Sequence, residues 1–246
     1  MASAIWGAAV IVNSGFHSEP SADLGGYHFH HELCEVMDTS FFAEHYKSVE
    51  GSGARTSRHS AQEAQDISAC GLQLTPRGGD DYNGYEDPGD SRYVPTVYVE
   101  FKTTWHKQID PSAEFEAEVK GQHDLRAKDD KTKYDIVEVE ELGEEAFYST
   151  ETNDKGPLTG ATLSIRDGWV AAELRWSTFF DGRGGEHVGA DEVKQILFDT
   201  ARTSLEKLRK QEPENQSPGT DDSSGPDEPG SDNDASDPPK RGDGDI

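Results

Sequence analysis

Three histidines crowd the segment Tyr27-His28-Phe29-His30-His31. In an extended chain His28 and His30 point to the same side. Imidazole pairs of that kind anchor zinc or copper, and Glu32 or Glu35 could add a carboxylate. No third ligand of fixed geometry is identifiable, so the segment is expected to be a polar entry into the domain, with no metal site assigned. A second candidate is G-D-D-Y-N-G-Y-E-D-P-G-D at positions 79–90. With Gly84 as the central glycine of a calcium loop, Asp81 and Asn83 fall on ligand positions. Gly79 stands at the first ligand position, however, and Asp90 where a bidentate Glu belongs. The flanks are not helical, and a surface loop is expected instead.

Cys34 and Cys70 are the only cysteines. Two lone cysteines fit a single bridge formed where thiols oxidise, and equally two separate buried thiols in a reducing compartment. The bridge is the expectation, in keeping with the apolar N-terminus described below. A structural zinc site needs more ligands, and no C-x-x-C is present for redox work.

No G-x-S-x-G elbow, phosphate-binding loop, H-E-x-x-H or dinucleotide fingerprint occurs. Carboxylates are too numerous for any pair to single itself out: 49 Asp and Glu stand against 23 Lys and Arg, a net charge of -26. Such a surface repels phosphate backbones and anionic headgroups, which argues against nucleic acid and peripheral membrane partners. No catalytic residue and no cofactor are assigned.

The elements that would position these groups follow from hydrophobic periodicity. Residues 1–16 carry no Asp, Glu, Lys or Arg, and the first basic residue is Lys47. Positions 4–12 read as half a membrane span, either the trailing half of a signal anchor or a short apolar leader. A linker to residue 26 follows. Residues 32–46 suggest a helix interrupted near Thr39, and 66–74 a strand ended by Pro76. Strict alternation marks the clearest strand, with Val97, Val99, Phe101, Thr103 and Trp105 on one face. Tyr98, Glu100, Lys102, Thr104 and His106 take the other. Asp110-Pro111 then starts a helix over 111–128.

Residues 135–142 and 145–150 read as strands about a turn at Gly143. Strands 161–165 and 169–179 flank Arg166-Asp167-Gly168, an expected hairpin. The last helix begins near Ala190, with Val193, Ile196, Leu197, Ala201, Leu205 and Leu208 as one apolar stripe. From 211 to 246 there are eleven acidic and two basic residues and no aromatic. A disordered acidic tail is expected there. The whole describes a single α+β domain over 27–210, an antiparallel sheet of five to six strands with helices on one side.

Four stretches carry a family likeness: E-L-C-E-V-M-D-T-S-F-F around Cys34, I-S-A-C-G-L-Q-L around Cys70, V-E-V-E-E-L-G-E-E-A-F-Y, and S-I-R-D-G-W-V-A-A-E-L. Together they resemble actinobacterial extracytoplasmic lipoproteins and membrane-anchored proteins of unknown function, similar in turn to the PsbP-like fold. The likeness covers roughly 32–210. It implies an accessory or binding module held outside the cytoplasm by a signal anchor or lipid, although this chain shows neither a complete span nor a lipidated cysteine. The implied function is a non-catalytic envelope module for a protein, a glycan or a small lipophilic ligand, touching the membrane only through an N-terminal anchor. A secreted hydrolase with dispersed carboxylates and a metal-capturing protein using His28 and His30 are the alternatives. The aromatic stretch 93–105 is the expected binding region.

Overall fold

The computed structural model describes residues 22–49, 51, 53–77, 96–126, 131–153, 156–179 and 188–210. The apolar segment 1–16, the calcium-like segment 79–90 and the acidic tail 211–246 lie outside the described residues, as does Tyr93.

One antiparallel sheet organises the described chain. Its strands are β1 (Tyr46–Ser48), β2 (Arg55–Ala61), β3 (Gln65–Pro76), β4 (Thr96–His106), β5 (Thr132–Glu138), β6 (Glu145–Asn153), β7 (Leu158–Asp167) and β8 (Val170–Phe179). They run in the order β1-β3-β4-β8-β7-β6-β5, and β2 also pairs with β3. The helices are α1 (Leu33–Val36), α2 (Ser112–Arg126) and α3 (Ala190–Lys210), with a 3-10 turn over Ser40–Phe42.

The α+β class is as expected, but eight strands replace five to six. The additional two, β1 and β2, share one edge of β3, against its residues 74–76 and 66–72 respectively. β2 reads R-T-S-R-H-S-A and buries no side chain. Backbone pairing in a hairpin with β3 therefore holds it, and such pairing leaves no hydrophobic period to read.

Alternation on β4 is as the sequence requires: Val97, Val99, Phe101, Thr103 and Trp105 are all buried. The same face receives Leu174 and Trp176 from β8 and Leu163 and Ile165 from β7, and the six-residue stripe of α3 seals it. This is the core.

Helices do not all lie on that side. On β6, Tyr148 points to α3, its ring 5.9 Å from that of Phe198. Its neighbour Phe147 must point the other way, and it meets Phe115 of α2 at 6.1 Å. α2 therefore packs on the face opposite α3, which corrects the expectation of one helical layer. The physical reason lies in α2 itself, where only Phe115 is buried. So weak an apolar face could be recognised as helical from its cap, but not assigned to a layer.

The expected helix over 32–46 is also corrected. It is one α-helical turn, one 3-10 turn and then β1. Asp38 accepts hydrogen bonds from the Ser40 amide (3.0 Å) and hydroxyl (2.6 Å). This local bonding competes with helix continuation. The 166–168 turn forms as a hairpin with Asp167 opposite Val170. Only Gly168 has positive φ, at 58°, so Gly168-Trp169 are the central pair, and the glycine comes first as in a II′ turn. A Cβ at Gly168 would lie 2.5 Å from the Asp23 carbonyl.

Candidate functional site

Cys34 and Cys70 form a disulfide, with Cα atoms 4.8 Å apart and 36 positions between them in sequence. It ties α1 to the inner face of β3. α1 has only four residues, too few to be stable alone. The bridge is accompanied by the Asp38 carboxylate, which accepts from Lys207 Nζ at 2.9 Å, and the Asp38 amide, which donates to Ser204 Oγ at 2.9 Å. Ser40, then Lys207, hold the Asp38 carboxyl below the usual carboxylate range.

The histidines do not assemble as their spacing suggested. His31 meets His59 of β2, their rings 4.6 Å apart, and Phe29 stacks edge-on against His31 and Trp105. Among the described residues no group of three or more His, Cys, Asp or Glu is placed to hold a metal ion. The segment belongs to the packing around Trp105. Of the described aromatics of 93–105, Phe101 and Trp105 are core residues and line no groove, while Tyr98 is exposed.

The second face of the sheet is different in kind. Its strands project Lys102, Thr104 and His106 from β4, and Glu173 and Arg175 from β8. Next to them lie Thr162 and Ser164 of β7 and Ser149 of β6. α2 crosses only part of this polar surface. Between the two lies an open cleft of about 270 Å³, walled on the helix side by Glu118, Gln122, His123 and Arg126. The helix is fixed at its far end, where Arg126 Nη1 reaches Glu151 Oε1 at 2.6 Å and the His123 ring meets the Tyr134 carbonyl at 3.2 Å. At its start Asp110 Oδ1 accepts from the Ser112 amide at 2.9 Å.

Charge in the cleft runs against the molecule as a whole. Three basic residues (Lys102, Arg126, Arg175) and two acidic ones (Glu118, Glu173) line it, with His106 and His123 besides. Cross-strand register sets Lys102 opposite Glu173 and Glu100 opposite Arg175. Glu100, however, is taken by Arg58 at 2.7 Å. Among the described residues neither Arg175 nor Glu173, both half-buried, makes a hydrogen bond or ion pair. Burial pushes the His106 imidazole below its ordinary value, opposed by the charges of Glu118, Glu114 and Asp110.

Strand alternation places Glu173 and Arg175 on the face of β8 away from the core, where they are half-buried in the cleft rather than free in solvent. The signal that could have found the site is the run of charged and hydroxyl residues on the outward positions of two adjacent central strands.

No family model, curated protein or solved structure matches the chain. Among the described residues no helix is long and apolar enough to cross a membrane.

Proposed function

We propose that this chain is a non-catalytic binding module of the cell envelope, working outside the cytoplasm, with the cleft between α2 and the sheet as its ligand site. The observation that carries the reading is the half-buried pair Glu173 and Arg175, charged groups in a concave site with no hydrogen bond or ion pair among the described residues. Half-buried charges left unpaired cost stability, and a bound ligand would recover it. Concave sites with a few convergent polar groups are where small ligands bind. The Cys34–Cys70 bridge supports the compartment, since structural disulfides persist where thiols are oxidised. The likeness to actinobacterial extracytoplasmic proteins with a PsbP-like fold belongs to the same reading. The charged and hydroxyl groups of the lining suit a hydrophilic ligand, with Ile67, Phe115 and Val119 adding an apolar wall against which a ring could lie.

One observation favours the secreted hydrolase as a second reading: Glu118 and Glu173 share the cleft with His106, and the Glu118 charge acts on that imidazole. A carboxylate beside an imidazole is the chemistry of general acid–base work.

Hydrogen exchange on the full chain tests the first reading. The small-molecule fraction of the envelope should protect α2, β4 and β8, and the matching cytoplasmic fraction should not. Protection confined to other elements, or none, refutes it. Turnover of any component of the fraction would favour the hydrolase.

A further inference from the structure

The chemistry of the cleft narrows the ligand, and this inference rests on the cleft being the binding site. Arg175 and Lys102 project from neighbouring strands on the same face. Arg175, half-buried and without its cross-strand carboxylate, asks for an anion. A cation pair alone would suit phosphate, but Glu173 and Glu118 share the space. Their charges repel a dianion while accepting hydrogen bonds from hydroxyl groups. Arg126 is engaged by Glu151, and beside the two histidines the remaining polar lining is neutral, including the amides of Gln65 and Gln122 and the hydroxyls of Thr162 and Ser164. Amides and hydroxyls both donate and accept, so they match a ligand with several hydroxyls. A simple amino acid would satisfy Arg175 and Glu173 but leave these groups to water. At about 270 Å³ the cleft is slightly smaller than the usual range of drug-sized pockets, a size that fits one sugar ring.

We propose that the cleft binds an acidic monosaccharide, its carboxylate held by Arg175 and Lys102 and its hydroxyls by Glu173 and the amide and hydroxyl groups around it. The charges of Arg175 and Lys102 give selection for the acid over the neutral sugar. In a molecule of net charge -26, the surrounding field would otherwise turn small anions away.

Calorimetric titration of the full chain with glucuronate, glucose, inorganic phosphate and alanine tests this. Glucuronate should bind, and more weakly as salt rises. Glucose, without the carboxylate, should bind at least about tenfold more weakly, as the loss of one charge-assisted hydrogen bond predicts; phosphate, repelled by Glu118 and Glu173, and alanine, without hydroxyls, should also bind more weakly than glucuronate. Arg175→Gln and Lys102→Gln should each weaken glucuronate by about tenfold or more, with thermal unfolding no lower than the parent's. Lys133→Gln, on exposed β5, should leave binding as it is. Glucose, phosphate or alanine matching glucuronate overturns the proposal, as does full binding by folded Arg175→Gln. If envelope extract protects the cleft while glucuronate fails to bind, the acidic-sugar assignment fails and the binding-module reading stands. If the extract protects other elements, the binding-module reading itself fails.

Discussion

Removing the disulfide tests how much of this domain depends on chain connectivity rather than contacts. Cys34 and Cys70 are 36 positions apart. In the chain-entropy model a closed loop of that length lowers the entropy of the unfolded chain by about 13 cal/mol/K, or about 4 kcal/mol at 25 °C. Cys34→Ala/Cys70→Ala is the suitable variant, because Cys70 is fully buried and Cys34 nearly so, where a serine hydroxyl would add a desolvation cost. The native structure should survive, since Leu33, Val36 and Met37 remain buried and Asp38 still binds Ser204 and Lys207. Urea unfolding followed by tryptophan fluorescence should therefore show two effects. Stability should fall by about 4 kcal/mol, and the slope with denaturant should rise because the uncrosslinked chain exposes more surface. Thermal unfolding should drop by roughly 8 to 16 °C for a domain of this size. A loss below about 1 kcal/mol would refute the entropic reasoning. So would a full loss with an unchanged slope, which would assign the effect to native packing.

Three further outcomes follow from the packing. Leu197→Ala, at a fully buried position of the α3 stripe, should cost about 2 to 5 kcal/mol in chemical denaturation. Gly168→Ala should cost about 1 to 3 kcal/mol by the same assay, because the turn needs positive φ and the Asp23 carbonyl blocks a Cβ. For Asp38 the folded pKa is depressed, chiefly by the Ser40 hydroxyl. Its stabilisation is then complete above the unfolded carboxylate value of roughly 4 and is lost as pH falls through the lower folded value. Asp38→Asn should thus be less stable than the parent at neutral pH, with the gap closing in acid, as thermal scans across pH will show.

What the sequence revealed depended on whether burial left a period. Strand β4 was legible residue by residue because one of its faces is core and the other is not. The stripe of α3 was legible for the same reason, and its start at Ala190 follows from where that stripe begins. β2 was illegible because neither of its faces is buried and backbone hydrogen bonds leave no mark on side-chain type. The break after α1 was visible only as a vague interruption near Thr39, since it arises from Asp38 bonding locally to Ser40 rather than from Gly or Pro. At the site, the histidine spacing was a poor guide: His31 found His59, which lies 28 positions away in sequence on an unforeseen strand. Only three-dimensional pairing could bring those rings together.

The cleft itself follows from α2 being a poor partner for the sheet. Phe115 against Phe147, with Lys120 over the same ring, is the apolar contact that seats it, and Arg126 to Glu151 clamps its far end. A helix with a wider apolar face would need a matching apolar sheet beneath it, and together they would close the space. Here the outward positions of β4 and β8 are charged or hydroxyl-bearing, so closing the helix down onto them would strand Glu173 and Arg175 away from water without partners. The balance between those desolvation costs and one aromatic contact keeps the helix raised. The same charged groups that prevent closure therefore line the opening and, under the proposed function, would meet the ligand, so that the opening and its chemistry have a single physical origin.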